Sequence, residues 1–171
     1  MTWNDYFLTL FDSCCATYRS GVRDLEKFHS GEDLAFLTTI GHQPREFFDF
    51  VEDYCEEGVP SASTALLVAA VRRDYFLTVQ HGVTSSKTLT REELPTFGQA
   101  LEGIAYLPRI LTKARAKLRG ELDPDMMFGC GGDRNFFRQH GSIHPADFLR
   151  HVWAAGNNDA KLAAWIKAQT P

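Results

Sequence analysis

Between Ser61 and His81 the chain reads SASTALLVAAVRRDYFLTVQH, and from Ala65 to Val71 it carries no polar side chain. A helix that is hydrophobic on every side is usually buried, so this stretch is expected to be a core helix. Ser63 or Thr64 is expected to cap its start by offering an oxygen to the first-turn amides, and Gly82 to stop it. Arg72, Arg73 and Asp74 follow the apolar run directly. An ion on a buried helix must be paired or face a wet cleft. At least one of the two arginines is therefore expected to bond a carboxylate from another helix, with the acids of the preceding DFVEDY segment as the nearest source.

The rest of the chain reads as further helices at apolar spacings near 3.6 residues. Trp3, Phe7, Leu10, Phe11, Cys14, Cys15 and Tyr18 form one amphipathic face ended by Gly21. Two shorter helices are expected over residues 24–29 and 32–40, divided by Ser30-Gly31. Pro44 suits the first turn of the next, where no amide donor is needed, and Gly58 its end. Asp49, Glu52, Asp53, Glu56 and Glu57 on that segment read as a solvated acidic face rather than a cation site, since no carboxylate-plus-histidine motif accompanies them. Residues 83–98 read as a connecting excursion with a capping box at Thr90 and Glu93. A strand or hairpin over residues 79–90 is the weaker alternative to loop. Residues 99–119 have helical spacing interrupted by Pro108, which either kinks the helix or starts a new one. Asp133 is expected to cap a helix over residues 134–139, Pro145 to start another, and Asn158 to cap the last. The expected fold is all-α: one domain over residues 1–171, with its helices around the segment at residues 63–80.

Composition excludes several classes. A net charge of −4 opposes general nucleic-acid binding, and no apolar run is long enough to span a membrane. The start, with Asp5 and no cationic segment, reads as an amphipathic helix rather than a signal peptide. Cys14, Cys15, Cys55 and Cys130 lack the spacing of a disulfide framework and are expected to be reduced, as in a cytoplasmic protein.

The sharpest chemical feature is Gly129-Cys130-Gly131-Gly132-Asp133-Arg134. Glycines permit positive backbone dihedrals, and a helix beginning just afterwards directs free amides into the turn, which suits an anion or a reactive thiolate. The plainer reading is a tight turn with a small buried cysteine. The turn lacks the lysine and hydroxyl of a phosphate loop and has no strand before it, so no nucleotide cofactor is expected. Arg109, Lys113, Arg115, Lys117 and Arg119 give the preceding segment a basic surface, which either complements the helix dipole or holds an anion. His140, His144 and His151, with Asp147, lack a metal-binding pattern and are expected to bind no metal.

From LPRILTKARAKLRGEL through CGGDRNFF to its last helix, the C-terminal portion resembles the bacterial domain-of-unknown-function family 5069. The resemblance rests on Leu107-Pro108-Arg109, Lys113-Ala114-Arg115-Ala116, Gly120, and the cysteine-x-x-aspartate of Cys130 and Asp133. Between that cysteine and aspartate the family has proline and leucine, where this chain has Gly131 and Gly132. The first half, with DFVEDY and VRRDYF, reads as an extension. The resemblance implies no reaction.

Two functions remain. One is a helical binding module in which Arg109, Lys113, Asp133, Arg134 and Arg73 serve a small anionic ligand or an acidic partner. The other is a small enzyme with Cys130 as nucleophile or acid/base and Arg109, Lys113 and Arg134 holding the substrate's charge. The glycine turn and the segment beginning at Arg109 are expected to face each other across one pocket.

Overall fold

The structure is a computed structural model that describes residues 1–169. It divides into two compact units, Met1–Thr84 and Ser85–Pro171. The described residues are mainly helical, with nine α-helices and one two-stranded sheet. No described helix is long and apolar enough to cross a membrane.

The first unit holds α1 (Trp3–Arg19), α2 (Leu25–Phe28), α3 (Gly31–Thr39), α4 (Pro44–Glu57) and α5 (Ala62–Thr78). Reciprocal capping boxes at Thr2/Asp5 and Ser30/Asp33 start α1 and α3, satisfying amides that the first turn leaves open. Pro44 starts α4 and Gly58, at φ 76°, ends it. α1 packs on α4 and α5. The core is aromatic, with Phe47 set edge-on to Phe7 at 5.1 Å and to Phe11 at 6.0 Å, an arrangement that the ring quadrupole favours.

α5 departs from expectation in three respects. Its cap is Ser61 rather than Ser63 or Thr64, and it stops at Thr78, short of Gly82. Nor is it buried all round: Ala65, Val68, Ala69 and Val71 face inward while Leu67 and Leu77 stay exposed. Its neighbours cover one face, so a run of apolar residues marks helix length but not all-round burial. Arg72 is 2% exposed; it donates to Gln80 Oε1 at 2.6 Å and lies over the Phe76 ring. Arg73 finds its carboxylate on its own helix, Asp74 at 3.5 Å, and covers Trp3. Three acids of α4 have other partners. Glu52 and Glu56 accept from the Tyr18 hydroxyl at 3.2 and 2.5 Å, and Asp49 accepts from Arg45 at 2.9 Å.

In the second unit a single 3-10 turn, Arg91–Glu93, carries the Thr90/Glu93 capping box. The hairpin lies later than residues 79–90: β1 (Ala100–Leu101) pairs with β2 (Ile104–Ala105) through Glu102 and Gly103, at φ 52° and 78°. Two positive dihedrals in a two-residue connection make the type I′ turn whose twist suits a hairpin. From residues 79–90, Leu89 alone makes a ladder contact, a parallel bridge to Leu122. Then come α6 (Leu107–Arg119), α7 (Gly131–Gln139), α8 (Pro145–Ala155) and α9 (Asp159–Gln169). Pro108 thus sits in the opening turn of a new helix, not at a kink. α6 packs on α8, and α8 on α9. Leu107, Ile110, Phe128 and Phe148 are fully buried between them.

The basic residues of α6 do not share one face. Lys113 and Lys117 turn inward, at 4% and 2% exposure. Arg115 bonds Asp159 and the Gly156 carbonyl, and Arg119 bonds Glu121 at 2.6 Å.

Candidate functional site

α6 and α7 bring together four side chains of complementary chemistry. Tyr106 stands at the left-handed entry to α6, at φ 70°. Tyr106, Arg109 and Lys113 follow at steps of three and four residues, which aligns them on one side. Across from them, the turn before α7 delivers Cys130 and Asp133. Asp133 is fully buried and accepts three hydrogen bonds: from Lys113 Nζ at 2.5 Å, the Tyr106 hydroxyl at 2.8 Å and the Gly129 amide at 2.9 Å. A buried carboxylate needs such a set to offset its desolvation. Lys113 Nζ also donates to Cys130 Sγ at 3.3 Å. Burial, followed by the nearby Asp133 charge and the hydrogen bond to it, raises the Tyr106 phenol above its ordinary range, so Tyr106 serves as a donor.

Local sequence explains the turn. Gly129 takes φ 93°, a conformation costly for other residues. Gly131 and Gly132 do not use positive dihedrals; they lie in the first turn of α7, whose cap is Cys130. Asp133 is therefore not the cap of a later helix but the third residue of this one, reaching back to the Gly129 amide. A Cβ on Gly132 would stand 3.1 Å from the Tyr106 hydroxyl, so the glycine there allows α6 and α7 to approach. Arg134 turns back to the Gly129 carbonyl at 3.0 Å and fastens the turn.

Above the four lies a cleft of about 350 Å³. Cys130 and Gly132 line it from α7, Arg109 and Lys113 from α6, and Arg91, Leu94, Phe97, Met126 and Met127 from the connecting segments. Arg109 donates to the Pro95 carbonyl at 2.8 Å and stacks on Phe97 at 4.2 Å. Phe97 is 68% exposed, an aromatic surface at the mouth. With Lys113 matched by Asp133, the cleft's remaining cations are Arg91 and Arg109, against Asp125.

Of the residues singled out in the sequence, Cys130, Arg109 and Lys113 meet at the cleft, Asp133 lies beneath it, and Arg134 buttresses the turn. Arg73 belongs to the first unit and is not among the lining residues. Tyr106, Arg91 and Phe97 were not anticipated. Tyr106 had a legible signal, seven residues before Lys113 on the same side of a helix. The histidines serve structure: His144 caps α8 by accepting from the Ala146 amide, His140 stacks on Phe136, and His151 stacks on Trp165 at 3.8 Å. Among the described residues no three His, Cys, Asp or Glu side chains gather as a metal would require. All four cysteines are free thiols.

These features define a mainly α-helical protein with a small polar cleft in its C-terminal unit. Residues 96–171 match the family described as Domain of unknown function (DUF5069), and residues 1–95 lie outside the match as an N-terminal extension. Tyr106, Lys113, Cys130 and Asp133 all fall within the matched part. No curated protein and no solved structure matches the chain.

Proposed function

We propose that the cleft over Cys130 binds a small organic anion. The observation that carries the reading is the convergence of Arg91 and Arg109 with the open end of α7 on one cavity. The amides of a helix's first turn have no intrahelical partner and, with the dipole, favour negative charge. Arg109 adds a guanidinium whose fork suits carboxylate or phosphate. About 350 Å³ fits a metabolite better than an acidic protein surface. The four free thiols support a reducing, cytoplasmic setting.

Calorimetric titration with inorganic phosphate, small phosphate esters and dicarboxylates tests the proposal. A charged hydrogen bond contributes about 1.5–3 kcal/mol, so Arg109→Ala should weaken the best ligand roughly tenfold to a hundredfold. No heat from any member at millimolar concentration, or equal affinity in Arg109→Ala, would refute it.

A second reading, a small enzyme with Cys130 as nucleophile, is favoured by the Lys113 N–H donated to Sγ. Charge developing on sulfur there is met by an ammonium and a helix N-terminus. On this reading iodoacetamide labels Cys130 well before Cys14 and Cys15, whose thiols burial pushes up to about 12. Equal labelling rates would remove it.

A further inference from the structure

We propose that Cys130 and Lys113 form a covalent modification site: a hydroperoxide entering the cleft oxidises the thiol, and the lysine amine then captures the sulfur as a sulfenamide. Three observations combine. Cys130 lines an open cleft, so a small oxidant reaches its sulfur. Lys113 Nζ stands 3.3 Å from that sulfur and is confined there, its side chain 5% exposed. Asp133 Oδ2, 2.5 Å from the same nitrogen, is placed to take a proton from it. No other cysteine combines these features among the described residues. Cys14 faces His29 Nδ1 at 3.9 Å but is buried, and Cys55 makes its contact with the Cys15 carbonyl.

The chemistry proceeds in two steps. In the first, the thiol attacks the peroxide O–O bond, giving the sulfenic acid and one molecule of water or alcohol; sulfur loses two electrons and the peroxide gains them. In the second, the Lys113 ammonium gives one proton to the Asp133 carboxylate, and its nitrogen lone pair displaces hydroxide from sulfur. The departing hydroxide takes a second proton from nitrogen and leaves as water. An S–N bond replaces S–O, and the Asp133 acid keeps its bonds from Tyr106 and Gly129. Capture by nitrogen competes with further oxidation to sulfinic acid, which thiols do not reverse. The bridge thus protects the sulfur, and a thiol reductant restores both side chains.

The test uses the full chain, treated with one equivalent of hydrogen peroxide, digested without reduction and read by tandem mass spectrometry. The expected product is a linked pair of peptides containing Lys113 and Cys130, two hydrogens lighter than their sum and separated by dithiothreitol. Cys130→Ser, which leaves the Lys113–Asp133 pair intact, should lose the link. Recovery of Cys130 as sulfinic acid, as a disulfide, or closed onto the Gly131 nitrogen, with the Lys113 peptide unlinked, would overturn the proposal. Because the unmodified protein gives the answer, no variant at Lys113 is needed.

Discussion

Lys113 and Asp133 are the pair on which the candidate site depends, at 5% and 0% side-chain exposure. Removing one partner of a buried pair leaves the other ion uncompensated, at a cost of about 3–5 kcal/mol. Asp133→Ala is therefore expected to lose that much in urea unfolding. The double change Lys113→Met with Asp133→Leu should recover most of it, since replacing both charges by apolar groups is often neutral. An Asp133→Ala loss below about 1 kcal/mol would mean that the pair is solvated. Tyr106→Phe, which deletes one hydrogen bond to a charged group, should cost about 1.5–3 kcal/mol. In the first unit, burial pushes the Asp49 carboxyl from 3.8 up to about 6, against the charge and hydrogen bond of Arg45. A raised folded value means that the fold prefers the protonated acid. Its contribution to stability is complete below pH 3.8 and is lost as pH rises through about 6. Asp49→Asn stays neutral throughout, so the wild type should lose stability relative to this variant between those limits and hold a constant difference above them. Melting curves across that range decide the sign; a wild type that gains on the variant would show Arg45 outweighing burial.

At the scale of elements, two glycines separate strain from crowding. Gly103, at φ 78° in the hairpin turn, has open space where a Cβ would be, whereas at Gly41, φ 64°, a Cβ would stand 2.6 Å from the Phe76 ring. The left-handed conformation alone costs roughly 1–2 kcal/mol, so Gly103→Ala should lose that amount. Gly41→Ala should lose more, because the end of α3 must also move off α5. Equal melting shifts would show that the ring yields freely. Helix starts were the most legible elements, since Pro44, Pro145 and Asn158 state their role in a single residue. The hairpin was not: each strand has two residues, and Glu102-Gly103 lacks the Asn or Asp that usually marks a type I′ turn. Its residues merged into the helical spacing of α6. Cys130, Lys113, Arg109 and Asp133 could be chosen by residue type. That the turn and the segment beginning at Arg109 share one pocket was expected; the pairing of Lys113 with Asp133 beneath it was not, because it depends on how α6 crosses α7, 17 to 20 positions apart in the chain. Arg73 shows the reverse error, a charge next to an apolar run that is satisfied by its own neighbour.

For the molecule as a whole, the expectation of one domain becomes a question of cooperativity. Residues 85–171 form a unit with its own buried residues, Leu107, Ile110, Phe128 and Phe148, and domains of this size commonly fold alone. Expressed alone, this segment is expected to give a helical circular dichroism spectrum and a single sigmoidal urea transition. A disordered spectrum would mean that the two units form one cooperative body. The four side chains beneath the cleft come from one uninterrupted run of chain, with Tyr106 and Asp133, its ends, 27 positions apart. Closing a loop of that length costs only slightly more than closing a shorter one, and contacts between near neighbours in sequence form quickly. Such a pocket is a hereditary cassette: a genome can lengthen, replace or fuse what precedes it, and the chemistry travels with the segment that encodes it.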